Sequence, residues 1–427
     1  MGEVVMKRIA LNFICKNEGH IINEMLTSAL PLTDLIVAVD TGSTDNTIKL
    51  IHAFGEKNNI PTFVFERPFD NFCNSRNYAL DRLKEVVREL QWPPELTWGA
   101  YIDCDELIEF TGKFSRQSIL NDIYYTCHTD RKFLDSRQFL FNLSKDFRWE
   151  GPIHEFIEYR DTGISQGYLE NVRTIFRRLG ASWKGDIEKK YLNYAKKLVQ
   201  YVNEGNMTFR WLYYSGECFS AAADASKSKQ KKQELLQQAL SYYEKASEID
   251  GKKRYQKYIV YFRIAEAKLS QGREPNEIRE PLLKAYAADR RHAEPLYELI
   301  KIYIKKGQWE TAYLFSCFAV KNYHEKLPMA NDMGDVMVSI YKWELIFYHI
   351  LICSNSGRIG ESKRYYLQLR AILQAHKVKF DMQELILIKL VLWQNRFIRI
   401  WPKLAGRTDR IEPDEVPTHG EIVADTV

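Results

Sequence analysis

Asp103 and Asp105 close the apolar run Ala100, Tyr101, Ile102, and Glu106 follows at once. Carboxylates this close repel unless a cation or hydrogen-bond donors compensate them. Oxygen ligands suit Mg2+ or Mn2+, and Mg2+ usually binds through one or two carboxylates together with phosphate oxygens. The alternative is a solvated polar turn, because an Asp-x-Asp triplet is common by chance. Three further stretches carry polar chemistry: "CKNEGH" (15–20), "DTGSTDNT" (40–47) and "RWEGPIHEF" (148–156). Asp40 ends an apolar stretch and either accepts from a nucleobase N–H or ribose hydroxyl, or only closes a turn. Gly42 permits an unusual turn there, and Ser43 or Thr44 is placed to cap the helix that follows.

Elements with alternating patterns must position these residues. Strands are expected at 8–15, 35–40, 61–67 and 98–105, and helices at 18–30, 43–59 and 75–90. "LIVAVD" (35–40) is apolar without alternation, as in a strand buried on both faces of a parallel sheet. Leu80, Leu83, Val87 and Leu90 form one helical stripe. Repeated βα units of this length imply an α/β parallel sheet with helices on both faces, and such sheets bind ligands outside the carboxyl ends of their strands. The four motifs sit at strand ends or in the less regular stretch after 110.

From about 184 the pattern becomes helical. "ALSYYEKASEID" (239–250) matches "PLLKAYAADRR" (281–291) with Lys245 on Lys284 and Ala246 on Ala285, an offset of 39. "EAKLSQG" (266–272) matches "KIYIKKG" (301–307) at an offset of 35, and "WELIFYHILICSNSG" (343–357) is a third helix ending in glycine. Helical hairpins of about this period resemble tetratricopeptide repeats. Trp211, Tyr213, Tyr214, Tyr242 and Tyr243 either form an inter-repeat core or line a concave face that holds an extended acceptor or mediates self-association. The Pro-containing polar end reads as a disordered tail. The domain plan is therefore 1–183 α/β, 184–402 helical repeats and 403–427 tail.

Composition limits the alternatives. A formal net charge of +5 allows an anionic ligand but is far from a nucleic-acid signature. The seven cysteines are scattered, with no C-x-x-C and no zinc spacing, so free thiols are expected. No stretch reaches about 18 uncharged apolar residues and the start lacks a signal-peptide pattern, which gives a cytoplasmic expectation.

The ordered set "ICKNEG", "IVAVDTGSTDNT", "NSRNYAL", "YIDCDE" and "WEGPIHE" resembles glycosyltransferase family 2 over about residues 8–160. The helical repeats that follow, with the "RN" and "HE" elements, also resemble bacterial peptide glycosyltransferases of the sublancin type. The resemblance implies a GT-A (Rossmann-like) nucleotide-sugar-binding domain and a nucleoside diphosphate sugar donor, with UDP-sugar as the default. It implies that Asp40 contacts the nucleobase, that Glu18 lies by the nucleoside, and that Arg76 reaches the base or diphosphate. Asp103 would touch ribose or metal-bound water. Asp105 would ligate Mn2+ or Mg2+, and His154 would complete the metal site. An inverting enzyme needs a base near the acceptor hydroxyl or thiol. No clean Glu-Asp pair supplies it, so Glu155, rather than Glu150, is the candidate. Trp149 either stacks on the sugar or packs. Arg137 either serves the site or makes a surface salt bridge, and Lys189 and Lys190 either face the diphosphate or solvent. The acceptor, whether peptide, protein or glycan, is open. The contrasting reading is a helical-repeat scaffold carrying an inactive glycosyltransferase-like domain.

Overall fold

In the computed structural model of the chain, the described residues are 6–130, 132–180, 183–328 and 336–375. The expected tail at 403–427 and the end of the helical region, 376–402, lie outside them.

The continuous apolar runs become the buried centre of a sheet. Strands β1 (Arg8–Cys15), β2 (Leu35–Asp40), β3 (Thr62–Glu66) and β4 (Thr97–Tyr101) are parallel, in the spatial order β3-β2-β1-β4. Every residue of β2 is buried, as a strand covered on both faces requires. Helices α1 (Ile22–Ala29) and α2 (Thr47–Asn58) pack with one layer of core, and α3 (Phe72–Glu89) with the other through Leu80, Leu83 and Val87. Beyond β4 the sheet is mixed. It continues through β7 (Phe133–Asn142), β6 (Ile123–Thr129), β10 (Gln166–Phe176) and β5 (Glu106–Phe110), with β4–β7, β6–β7 and β5–β10 antiparallel. A separate hairpin joins β8 (Phe147–Glu150) to β9 (Phe156–Tyr159).

Two local expectations change. The fourth strand ends at Tyr101, so Asp103 and Asp105 stand in a turn rather than on the strand. Asp103 O accepts from Glu106 N at 3.0 Å, which closes that turn before β5 begins. Neither Ser43 nor Thr44 caps the second helix. It starts at Thr47, while Ser43 and Thr44 bond to the neighbouring loop.

Gly99 is required by close packing. It faces Phe141 across β4–β7, and a Cβ there would come within 2.3 Å of the Phe141 ring. Gly99→Ala should destabilise the domain by about 1–3 kcal/mol through overpacking, read as a lower urea midpoint with an unchanged slope.

Apart from a two-residue strand at Val336–Met337, the remainder is helical: α4 (Ile187–Asn203), α5 (Phe209–Ala225), α6 (Lys229–Glu248), α7 (Arg254–Ser270), α8 (Pro275–Ala288), α9 (Glu294–Lys305), α10 (Trp309–Tyr323), α11 (Leu345–Asn355) and α12 (Ile359–Ala375). Consecutive helices pack as hairpins in α4–α7 and again in α8–α12. The glycines at the three repeat ends, Gly272, Gly307 and Gly357, have φ of 71°, 68° and 77°, the left-handed conformation that ends a helix. Fold class is thus a mixed-sheet α/β domain followed by an all-α region. The chain divides into two compact units. One runs from the sheet through Glu274 with Pro328 and Val336, and the other holds Pro275–Leu327 and the helices after Met337. The switch from strands to helices falls between Phe176 and Ile187, well before this division. No described helix is long and apolar enough to cross a membrane.

Candidate active site

The strand order reverses between β1 and β4, and the turns after these two strands flank the crevice that such a reversal opens. Glu18 follows β1, and Asp103 and Asp105 follow β4. The β1–α1 turn is stitched to the β2–α2 turn by side chains. Asn17 N, Glu18 N and Gly19 N donate in succession to Ser43 Oγ (2.8 Å), Thr47 Oγ1 (2.9 Å) and Asp45 Oδ2 (3.0 Å). Thr44 N donates back to Asn17 Oδ1 at 2.7 Å, with Asn17 at φ 57°. Asp40 is buried, and its Oδ1 accepts from Gly42 N (2.9 Å) and Ser43 N (2.7 Å). The turn-closing role is therefore real, and only Oδ2, 3.7 Å from Cys15 Sγ, faces elsewhere.

Asp103 is the hub of an ionic cluster. Arg76 Nη2 donates to it at 3.1 Å, Arg137 Nη2 lies at 3.4 Å, and the Tyr101 hydroxyl also donates to it. Arg76 Nη1 is paired with Glu155, and Arg137 Nη1 with Glu106. The Arg76 guanidinium lies 4.6 Å over Tyr101 and 4.9 Å over Trp149. Burial by itself would raise Asp103, but Arg76 and Arg137 outweigh it and hold the carboxyl at about 2. For Glu106, burial wins over Arg137 and pushes the carboxyl up.

Asp105 has a different setting. It is 7% exposed, with Gly180 N donating to Oδ2 at 3.3 Å. Burial, then Asp103, raises its pKa. A Cβ on Gly180 would meet Asp105 Oδ2 at 3.2 Å and Glu18 Oε1 at 3.4 Å, so the two carboxylates converge on one glycine of the segment after β10. Lys190 on α4 is half-buried with its ammonium 3.9 Å over Trp183. Burial lowers its pKa and Asp105 opposes that shift. Lys189 is exposed.

The "PIHE" segment divides its residues. Glu155 points to Arg76. His154 adopts φ 54°, stacks on Tyr214 at 4.3 Å, and has Nε2 3.7 Å from Cys218 Sγ. Burial, then Arg210, lowers its pKa to about 4, so the imidazole is neutral near pH 7. Among the described residues the donor atoms of Asp103, Asp105 and His154 do not gather into one three-donor group. Trp149 is 6% exposed in the core, edge-on to Tyr101 at 4.7 Å, and its backbone is held by Asn77. It therefore supports Arg76 from beneath.

A groove of 830 Å³ adjoins this segment through Tyr214 and Arg210, which line it and touch His154. Strands β6, β7 and β10 form one wall and α5 and α7 the other. Tyr125, Tyr168, Arg210, Tyr213, Tyr214 and Tyr255 are among its lining. Arg210 Nη2 donates to His154 O at 2.7 Å, which ties the groove to the "PIHE" segment.

Tyr101, Glu106 and Arg210 had no role in the sequence reading. An apolar residue and a third acid after a strand carry no signal by themselves, and Arg210 comes from a helix 56 residues beyond its partner.

His128 gives a pH prediction. It touches Thr174 Oγ1 at 2.9 Å and Glu106 at 3.7 Å, and burial, then Arg137, lowers its pKa to about 3. The unfolded chain takes up this proton below about pH 6.5, whereas the folded chain resists until about 3. Its contribution is complete above pH 6.5 and falls as the pH drops through that window. The stability gap between wild type and His128→Gln should therefore narrow or reverse between pH 7 and 4 in urea titrations.

No protein-family model matches the chain, and no curated protein matches it. Among solved structures it is similar to S. aureus TarS 1–349 in complex with UDP-GlcNAc, at 11% identity over 67% of this chain and 93% of that one, with a TM-score of 0.34. It is also similar to YrrB, a TPR protein with an unusual peptide-binding site, at 15% identity over 54% of this chain and 98% of that one, TM-score 0.34. Both likenesses are distant.

Proposed function

We propose that the α/β domain is a GT-A, family-2-like glycosyltransferase. It moves a sugar from a nucleoside diphosphate sugar, UDP-sugar by default, to an acceptor hydroxyl or thiol with inversion. The supporting observation is the placement of Glu18, Asp103 and Asp105 on the two turns that flank the reversal of strand order, with two arginines and a lysine around them. In this reading Asp40 and Glu18 face the nucleoside, and Asp103 holds Arg76 and Arg137 in place. Arg76 and Lys190 are the cations available to the departing diphosphate, where negative charge grows in the transition state.

The donor chemistry fits Mn2+ or Mg2+ in part. Asp105 is a hard oxygen donor without an arginine on it, and it would hold the ion together with oxygens of the nucleotide. Asp103 is taken up by arginines, and His154 would have to turn from Cys218 to join. The ion would supply charge neutralisation at the diphosphate. Glu155, already paired with Arg76, acts in this reading as a positioning residue for that arginine rather than as the base. The acceptor lies in the groove beside His154, where tyrosine rings alternate with polar side chains.

Calorimetry with UDP, with and without Mn2+, tests the reading. Binding strengthened by Mn2+ and weakened in Asp105→Ala is expected. No UDP binding under either condition would leave an inactive domain on a helical scaffold.

A further inference from the structure

The second compact unit contains a cluster with no part in the proposed transfer. Cys317 of α10, His349 of α11 and Glu361 of α12 meet between three helices, and Cys353 of α11 stands one turn along from His349 with its sulfur beside the imidazole. The side-chain donor atoms of Cys317, His349 and Glu361 all lie within 4.8 Å of one another. His349 Nε2 is 3.3 Å from Glu361 Oε1 and 3.5 Å from Cys353 Sγ. A tetrahedral zinc with ordinary bond lengths places a nitrogen ligand about 3.3 Å from an oxygen ligand and about 3.5 Å from a sulfur ligand. The two separations coincide with those values.

The surroundings hold the donors in place. His349 is fully buried, and its other ring nitrogen is 2.8 Å from Ser316 Oγ, an interaction that orients a metal-bound imidazole. The Tyr313 hydroxyl donates to Glu361 Oε2 at 2.8 Å, which leaves Oε1 facing the imidazole. Cys353 is fully buried, while Cys317 and Glu361 are half-buried at the rim, giving an ion an entry path. Arg364, 3.7 Å from Glu361, offsets the net negative charge of two thiolates and a carboxylate around a divalent cation.

We propose that Cys317, His349 and Glu361 hold a Zn2+ ion that staples α10, α11 and α12, and that Cys353, beside the imidazole, turns its sulfur to the ion as the fourth, tetrahedral ligand. On binding, both thiols lose their protons to solvent and no redox change occurs. Two sulfurs, one imidazole and one carboxylate favour zinc over the hard cations suited to Asp105.

The test uses the full chain. Protein purified without chelator should carry about one zinc per chain by elemental analysis. After zinc removal, titration with Co2+ should give intense tetrahedral d–d bands and a near-ultraviolet thiolate-to-cobalt band. Asp105→Ala should keep that band, because a carboxylate site produces none. Cys353→Ser should lose most of it. If Cys353→Ser fails to fold, Cys317→Ser at the rim decides, with folding confirmed by circular dichroism. Metal should also protect two thiols from alkylation. A folded wild-type protein with no thiolate band, or a band that survives in Cys317→Ser at full intensity, overturns the proposal.

Discussion

Arg76→Met is expected to lower the unfolding free energy by about 3–5 kcal/mol, the cost of breaking a buried ion pair from one side. Methionine keeps much of the stem volume, so packing against Tyr101 and Trp149 largely survives. The charge does not. Glu155, whose side chain is 5% exposed, is left with its carboxylate in a buried site, and Asp103 keeps Arg137 and the Tyr101 hydroxyl. Thermal unfolding and urea midpoints read the loss. Adding Glu155→Gln to Arg76→Met should recover a large part of it, because the stranded charge is then gone. A double variant no more stable than Arg76→Met would show that the pair is not the source. Donor turnover should fall in both variants, because the cation proposed to face the diphosphate is missing in each.

Asp105→Asn is expected to separate activity from stability. Ionised Asp105 is opposed by burial and by the neighbouring Asp103, and one N–H at 3.3 Å is its partner from the 177–180 segment. Asparagine has nearly the same shape and can still accept from Gly180 N. The melting temperature should stay level or rise. Turnover of a UDP-sugar should fall about a thousand-fold, the scale of losing several kcal/mol of charge stabilisation at the leaving group. Stability and activity moving down together would make Asp105 a structural residue instead. The contrast with Arg76 is the informative part: in the proposed reading one residue holds the site together, and the other costs the fold stability in return for its role at the donor.

Much of this was legible in the sequence, and the reasons are local. The parallel strands are continuous apolar runs bounded by turn residues, so their positions followed from period and punctuation. The repeat ends followed from Gly272, Gly307 and Gly357, because a left-handed helix end is a conformation that glycine adopts without strain. The antiparallel half was not legible. The tyrosines and phenylalanines of 123–142 suit a strand, but nothing nearby says that β7 inserts beside β4. The pairing partners of the site were equally hidden. Arg137 reaches Asp103 from 34 residues away and Glu155 reaches Arg76 from 79 residues away, and Arg137 read in isolation as equally apt for a surface salt bridge. The Cys317, His349 and Glu361 cluster escaped for the same reason. Cys317 and His349 are 32 residues apart on different helices, and only His349 and Cys353, one turn apart, share a helix.

The stitched turns after β1 and β2 have a consequence for kinetics. Each of three successive amides there is already bonded to a side chain of the neighbouring turn. The ordering entropy of that wall is settled when the chain folds rather than when a ligand arrives. In the proposed reading, a nucleotide meeting this edge finds its seat already rigid. Its association should follow the encounter rate, with no slow rearrangement of these turns, and discrimination among nucleotides should appear in how long each one stays.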